Sequence, residues 1–102
     1  MMRFQIDFEG VAAVDDASVL EAAMDHAMEA LLERGVLDPA VGGSLTERRI
    51  EISFLVPAST TEEALAEAHG ILRDVTRHPG FEGIEWTSAR AEAVHAPTRA
   101  SL

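Results

Sequence analysis

The chain is 102 residues long and carries eight Arg, no Lys and 18 acidic side chains, a net charge of −10 at neutral pH. That is the length of one domain, and its charge speaks against phosphate backbones and anionic lipid as partners. The absence of Cys excludes disulfides, thiolate metal sites and a Cys nucleophile together.

No run of about 18 apolar residues offers a membrane span, and no basic segment leads an apolar one as in an export signal. The expected compartment is therefore the cytoplasm. Arg without Lys, beside abundant Ala, suggests GC-rich codon usage and a bacterial or phage source.

Residues 2–9 alternate Met2, Phe4, Ile6 and Phe8 with Arg3, Gln5, Asp7 and Glu9. Period two predicts a strand buried on one face and polar on the other, ended by Gly10. Ser18 and Glu21 have capping-box spacing, with Asp15 and Asp16 adding charge near the same helix start. Residues 19–34 then read as a helix whose stripe is Leu20, Ala23, Met24, Ala27, Met28 and Leu31, with Gly35 at the C-cap. The stretch 36–45 holds Pro39 and Gly42-Gly43 and reads as a loop or a short edge strand over 40–45.

Ile50, Ile52, Phe54 and Val56 alternate with Arg49, Glu51, Ser53 and Leu55, a strand that Pro57 should stop. Thr60 and Glu63 form a second capping-box spacing, followed by the stripe Ala64, Leu65, Ala68, Ile71, Leu72 and Val75. Pro79 should end that helix near His78. Residues 84–95 read as a last strand of unsettled phase. Ile84 and Trp86 fall on one face and Ala89, Ala91 and Ala93 on the other, and a bulge near Thr87 or Ser88 reconciles them. Residues 1–95 are expected to form a single domain, and 96–102 a disordered tail.

The order strand, helix, short strand, strand, helix, strand has half-polar strands, which favours a two-layer α+β plait over a doubly wound parallel sheet. It resembles the ferredoxin-like βαββαβ arrangement, an antiparallel-type sheet with two helices on one face and an irregular second strand. The crossover rule is read as placing the first and third strands parallel and adjacent at the centre.

The uncovered sheet face supplies the interface candidates Arg3, Asp7, Arg49, Glu51, Leu55 and Trp86, the last two as apolar anchors. Glu21, Asp25, Glu29 and Glu33 line one helix face at four-residue steps, where like charges repel and a counter-charge or simple solvation is needed. None of His26, His69, His78 and His95 has metal-site spacing, and no catalytic motif or phosphate loop is present. No metal or cofactor is therefore expected.

Two functions follow as expectations. The first is a non-catalytic binding or assembly module, homodimeric through its open face and engaging a protein or small ligand. The second is a cofactor-free dimeric α+β-barrel enzyme of monooxygenase or isomerase type. Its apolar pocket would lie between sheet and helices, with Trp86 and His69 or His95 near it. An amino-acid-sensing domain shares the strand order and ranks third.

Overall fold

The computed structural model describes residues 2–94; His95 and the expected tail at 96–102 lie outside the described residues. The elements are β1 (Met2–Val11), α1 (Ala17–Glu33), β2 (Leu37–Ser44), β3 (Arg49–Ala58), α2 (Thr61–Val75), a 3-10 turn (Pro79–Phe81) and β4 (Glu85–Val94). They build a two-layer α+β plait of the ferredoxin-like kind, with sheet order β2-β3-β1-β4 and every neighbouring pair antiparallel.

One expectation is corrected here. β1 and β3 are adjacent at the centre, but they run antiparallel. The crossover rule applies to strands joined through a helix, and those are β1 with β2 and β3 with β4. Each such pair is parallel with one strand between them.

The sheet forms where the alternation demands it. Phe4, Ile6 and Phe8 lie opposite Val56, Phe54 and Ile52 in register. All six are buried in one cluster with Leu20, Ala23, Ala27 and Leu31 of α1 and Ala64, Ala68, Ile71, Leu72 and Val75 of α2. Phe8 meets Phe54 edge-on at 6.2 Å between ring centres, a favoured aromatic geometry. Both helices thus cover the same flank. Among the described residues no helix is long and apolar enough to cross a membrane.

Several element ends differ from the sequence reading, each for a local reason. The α1 cap is Asp16 rather than Ser18. The Asp16 carboxylate accepts from the Ser18 backbone N–H at 2.9 Å and from the Ser18 hydroxyl at 2.7 Å, so the helix begins a turn's fraction earlier. Gly35, at φ +74°, closes α1 with paired bonds from Gly35 N–H to Leu32 C=O and from Val36 N–H to Leu31 C=O. This is the double C-cap that a left-handed residue permits.

At α2 the Thr60 hydroxyl accepts from Glu63 N–H, while Glu63 reaches back to Ser59 N–H. The helix stops at Val75, before the expected His78, and the Thr76 hydroxyl bonds the Leu72 carbonyl. β3 runs on through Pro57 because β2 begins opposite Leu55. The proline's missing N–H therefore costs no ladder bond on that side. β2 is a full strand, irregular at the register shift between Leu37 and Ala40, where Asp38 takes φ +47°.

Arg48 carries a tie that composition did not reveal. It sits in the β2–β3 turn at φ +59°, and its guanidinium donates to the carbonyls of Val14 (2.9 Å), Leu45 and Asp15. Its own carbonyl accepts from Ala12 N–H at 2.8 Å. One side chain thus fixes the β1–α1 connection to the opposite hairpin.

Removing this fan should be costly, because charge-assisted bonds to carbonyls are worth more than neutral ones. Arg48→Ala is expected to lower the unfolding free energy by roughly 2 kcal/mol in urea titration. Arg48→Lys should recover only part, since a single ammonium cannot reproduce the planar fork.

The pKa of Asp16 is held below its ordinary value, first by the Ser18 hydroxyl, then by the Ser18 N–H, and lastly by the positive charge of Arg48. A depressed folded-state pKa contributes stability above the unfolded value of 3.8, and that contribution is lost as pH falls through the folded value. Asp16→Asn keeps a good cap without the titration. Its stability should lie below wild type near neutrality, where the carboxylate's contribution is missing, and the two curves should converge as pH falls below 3.8 through the folded value; parallel pH curves would contradict the assignment.

Candidate functional site

Among the described residues the flank of the sheet opposite the helices is bare, and the register places every outward residue in a row. Ser53, Asp7 and Arg90 lie side by side across β3, β1 and β4. The next row toward the β2–β3 turn is Glu51, Glu9 and Ser88, and the next in the other direction is Leu55, Gln5 and Glu92. Pro57, Arg3 and Val94 form the row at that end. Arg3, Asp7, Arg49 and Glu51 are exposed, and Leu55 is half-buried. Leu37 of β2, opposite Leu55, is 43% exposed, so Leu37, Leu55 and Pro57 form an apolar corner.

The centre of this flank is a shallow depression of about 280 Å³ lined by Asp7, Glu9, Glu51, Ser53, Ser88 and Arg90. Glu9 and Glu51 are directly opposite on neighbouring strands, an arrangement that repels. Arg49 stands 4.0 Å from Glu9 and 3.4 Å from Glu47. Gln5 donates to Asp7 at 3.3 Å. The surface therefore alternates in sign.

Trp86, expected as an anchor on this flank, is corrected to the other side. The β1–β4 register shifts between Glu9 and Gly10: Ser88 lies opposite Glu9, Trp86 opposite Gly10, and Thr87 is the extra residue. The Thr87 hydroxyl secures the bulge by donating to the Glu9 carbonyl at 3.2 Å. A one-residue insertion flips the strand's phase. Trp86 therefore packs on the helix side against Phe8, 6.1 Å between ring centres, in phase with Ala89, Ala91 and Ala93. Ser88, Arg90 and Glu92 take the open flank. Gly10 does not end the strand as its sequence suggested but lies inside β1, which runs on to Val11, and a glycine inside a strand marks a bulge or a close approach.

On the helix side Trp86 has company. His69 of α2 lies 5.2 Å from Phe8, ring centre to ring centre. Phe8, His69, Leu72, Trp86, Thr87, Ser88 and Ala89 surround a hollow of about 250 Å³ open along β4. His26 and His78 form a second pair at 5.3 Å. The Nδ1 of His78 accepts from Gly80 N–H, which leaves the proton of the neutral ring on Nε2. Asp74 is paired with Arg34 at 2.8 Å and Arg77 at 3.3 Å rather than with His78.

The acidic residues Glu21, Asp25, Glu29 and Glu33 are all exposed along α1. Glu21 and Asp25 border a groove shared with Met24, Met28 and Val41. Among the described residues no three His, Asp or Glu side chains converge to hold a metal ion.

No family model, curated protein or solved structure matches this chain. Its own geometry is what bears on function.

The bulge is testable. A Cβ built on Gly10 would lie 2.7 Å from Cε3 of Trp86 and 3.0 Å from the Glu85 carbonyl oxygen. Gly10→Ala should cost about 1–3 kcal/mol, as overpacking does. It should also shift the emission of Trp86, the only Trp in a chain without Tyr. Unchanged emission would remove Trp86 from this position.

Proposed function

We propose that the chain is a small binding and assembly module whose open sheet face docks on the same face of a second copy. The observation that carries this reading is charge. The flank holds Arg3, Arg49 and Arg90 with Asp7, Glu9, Glu51, Glu85 and Glu92, three positive against five negative. It accounts for −2 of the chain's −10 and leaves −8 elsewhere. Two copies repel through most of their surfaces, within a screening length of about 8–10 Å. The sheet face is where approach costs least, and where an arginine of one copy can stand over a carboxylate of the other.

Exposed ion pairs contribute at most about 1 kcal/mol each, so apolar contact has to supply the rest. With Trp86 on the far side, that role falls to the corner of Leu37, Leu55 and Pro57. The charged depression at the centre of the face offers hydrogen-bonding groups to a protein segment or small ligand when the face is free.

A second reading is favoured by the hollow beside β4. His69 and Trp86 share Phe8 there, and an imidazole beside apolar walls suits a cofactor-free enzyme of the dimeric α+β-barrel kind acting on a small apolar compound. A thermal-shift screen of single-ring aromatic compounds against wild type and His69→Ala separates the two. A hit lost in the variant favours the enzyme.

For the leading reading, light scattering over a concentration series should give a mass above the 11.0 kDa of one chain. Leu55→Glu should weaken that association roughly tenfold or more while leaving the far-ultraviolet spectrum intact. A concentration-independent monomer, or an association indifferent to Leu55→Glu, would overturn it.

A further inference from the structure

The two edges of the sheet are built differently. β2 carries Pro39 and a register shift between Leu37 and Ala40, both of which blunt an edge against pairing. Among the described residues β4 pairs only with β1, and its bulge falls at Thr87, ahead of a regular stretch from Ser88 opposite Glu9 to Val94 opposite Arg3. That stretch, Ser-Ala-Arg-Ala-Glu-Ala-Val, contains neither Pro nor Gly. Its outer backbone donors and acceptors are a template for another strand.

We infer that this edge is an interface of its own: Ser88–Val94 pairs antiparallel with the same segment of a second copy about a two-fold axis at Ala91. Two four-stranded sheets thereby join into one continuous layer. The charges select this register. Centring on Ala91 sets Arg90 opposite the partner's Glu92 and, by symmetry, Glu92 opposite the partner's Arg90. Opposite charges facing across strands are favourable.

Moving the axis by one residue sets Arg90 against Arg90 or Glu92 against Glu92, which is unfavourable. Among the described residues neither side chain is engaged in an ion pair, so both charges are open to a partner. The Ala91 register also sets Val94, 43% exposed, opposite Ser88, and it keeps both copies' helices on one flank. Only a second copy of this chain supplies all of these matches at once, the self-complementarity that a two-fold interface requires.

This inference goes beyond the face-docking reading and does not depend on it. Leu55 lies on β3, separated from the β4 edge by β1, so the two contacts can be broken separately. Ala91→Cys introduces a single thiol into a chain that has none. Opposed Cα atoms in an antiparallel pair lie about 4.5–5.5 Å apart, within disulfide reach.

Mild oxidation of the full-length variant should give a covalent dimer. Adding Arg90→Glu or Glu92→Arg should weaken pairing roughly tenfold and suppress the cross-link, and combining the two should restore it. Should Cys at the half-buried position 91 disturb the fold, Ser88→Cys mixed with Val94→Cys provides the same test. These variants should cross-link to each other far more than to themselves.

Persistence of the cross-link in Leu55→Glu supports the edge whether or not the face reading holds. The inference is overturned if neither thiol design cross-links, if the double charge swap behaves no better than a single one, or if Leu55→Glu abolishes the cross-link.

Discussion

The burial of Phe4, Ile6 and Phe8 against Val56, Phe54 and Ile52 is the contact on which the rest of the molecule depends. Slipping β1 against β3 by one residue would turn Arg3, Asp7 and Glu9 into the core and Phe4, Ile6 and Phe8 into water, because side chains alternate strictly along a strand. Burying three unpaired charges is prohibitive, so one register survives. With that register fixed, the content of the opposite flank is settled as well. Asp7 must lie between Ser53 and Arg90, Glu9 must oppose Glu51, and Leu55 must meet Leu37. The outward surface is thus a consequence of the inward one.

The bulge at Thr87 interrupts this regularity between β1 and β4, and it does two things. It lets Trp86 fold over Gly10 onto Phe8, whose ring also meets His69, giving a thin, alanine-rich core one more large side chain. It also resets the phase, so that Arg90 and Glu92 arrive on the open flank instead of under α2. Arg48 supplies a comparable constraint at the same end of the sheet, tying Val14 and Asp15 to the β2–β3 turn while its carbonyl accepts from Ala12 N–H.

Much of this was legible in the residues. Clean alternation in β1 and β3 marked both the strands and their buried faces, and the helical stripes named nearly all of the helix core. The Thr60–Glu63 cap was visible because its spacing is local. β2 was blurred because an edge strand with one neighbour tolerates Pro39, a bulge and paired glycines, which dilute its pattern. Asp16 displaced Ser18 as the α1 cap because a carboxylate two residues ahead accepts both the Ser18 N–H and its hydroxyl; spacing cannot rank such rivals. The antiparallel relation of β1 and β3 follows only when the crossover rule is applied to the strands that each helix joins. The phase of Trp86 depended on where one extra residue was absorbed, a matter of packing over Gly10 rather than of pattern. The fan of bonds from Arg48 depends on a turn conformation that no pattern in the residues marks.

The central claim is that the flank opposite the helices is a working surface that receives a second copy. Backbone amide spectra of the isotopically labelled chain across a dilution series test it most directly. The account predicts concentration-dependent shifts at Gln5, Asp7, Ser53 and Leu55, with Glu21, Asp25, Glu29 and Glu33 on the outer side of α1 unmoved. Shifts confined to α1, with the β1 and β3 amides constant, would contradict it.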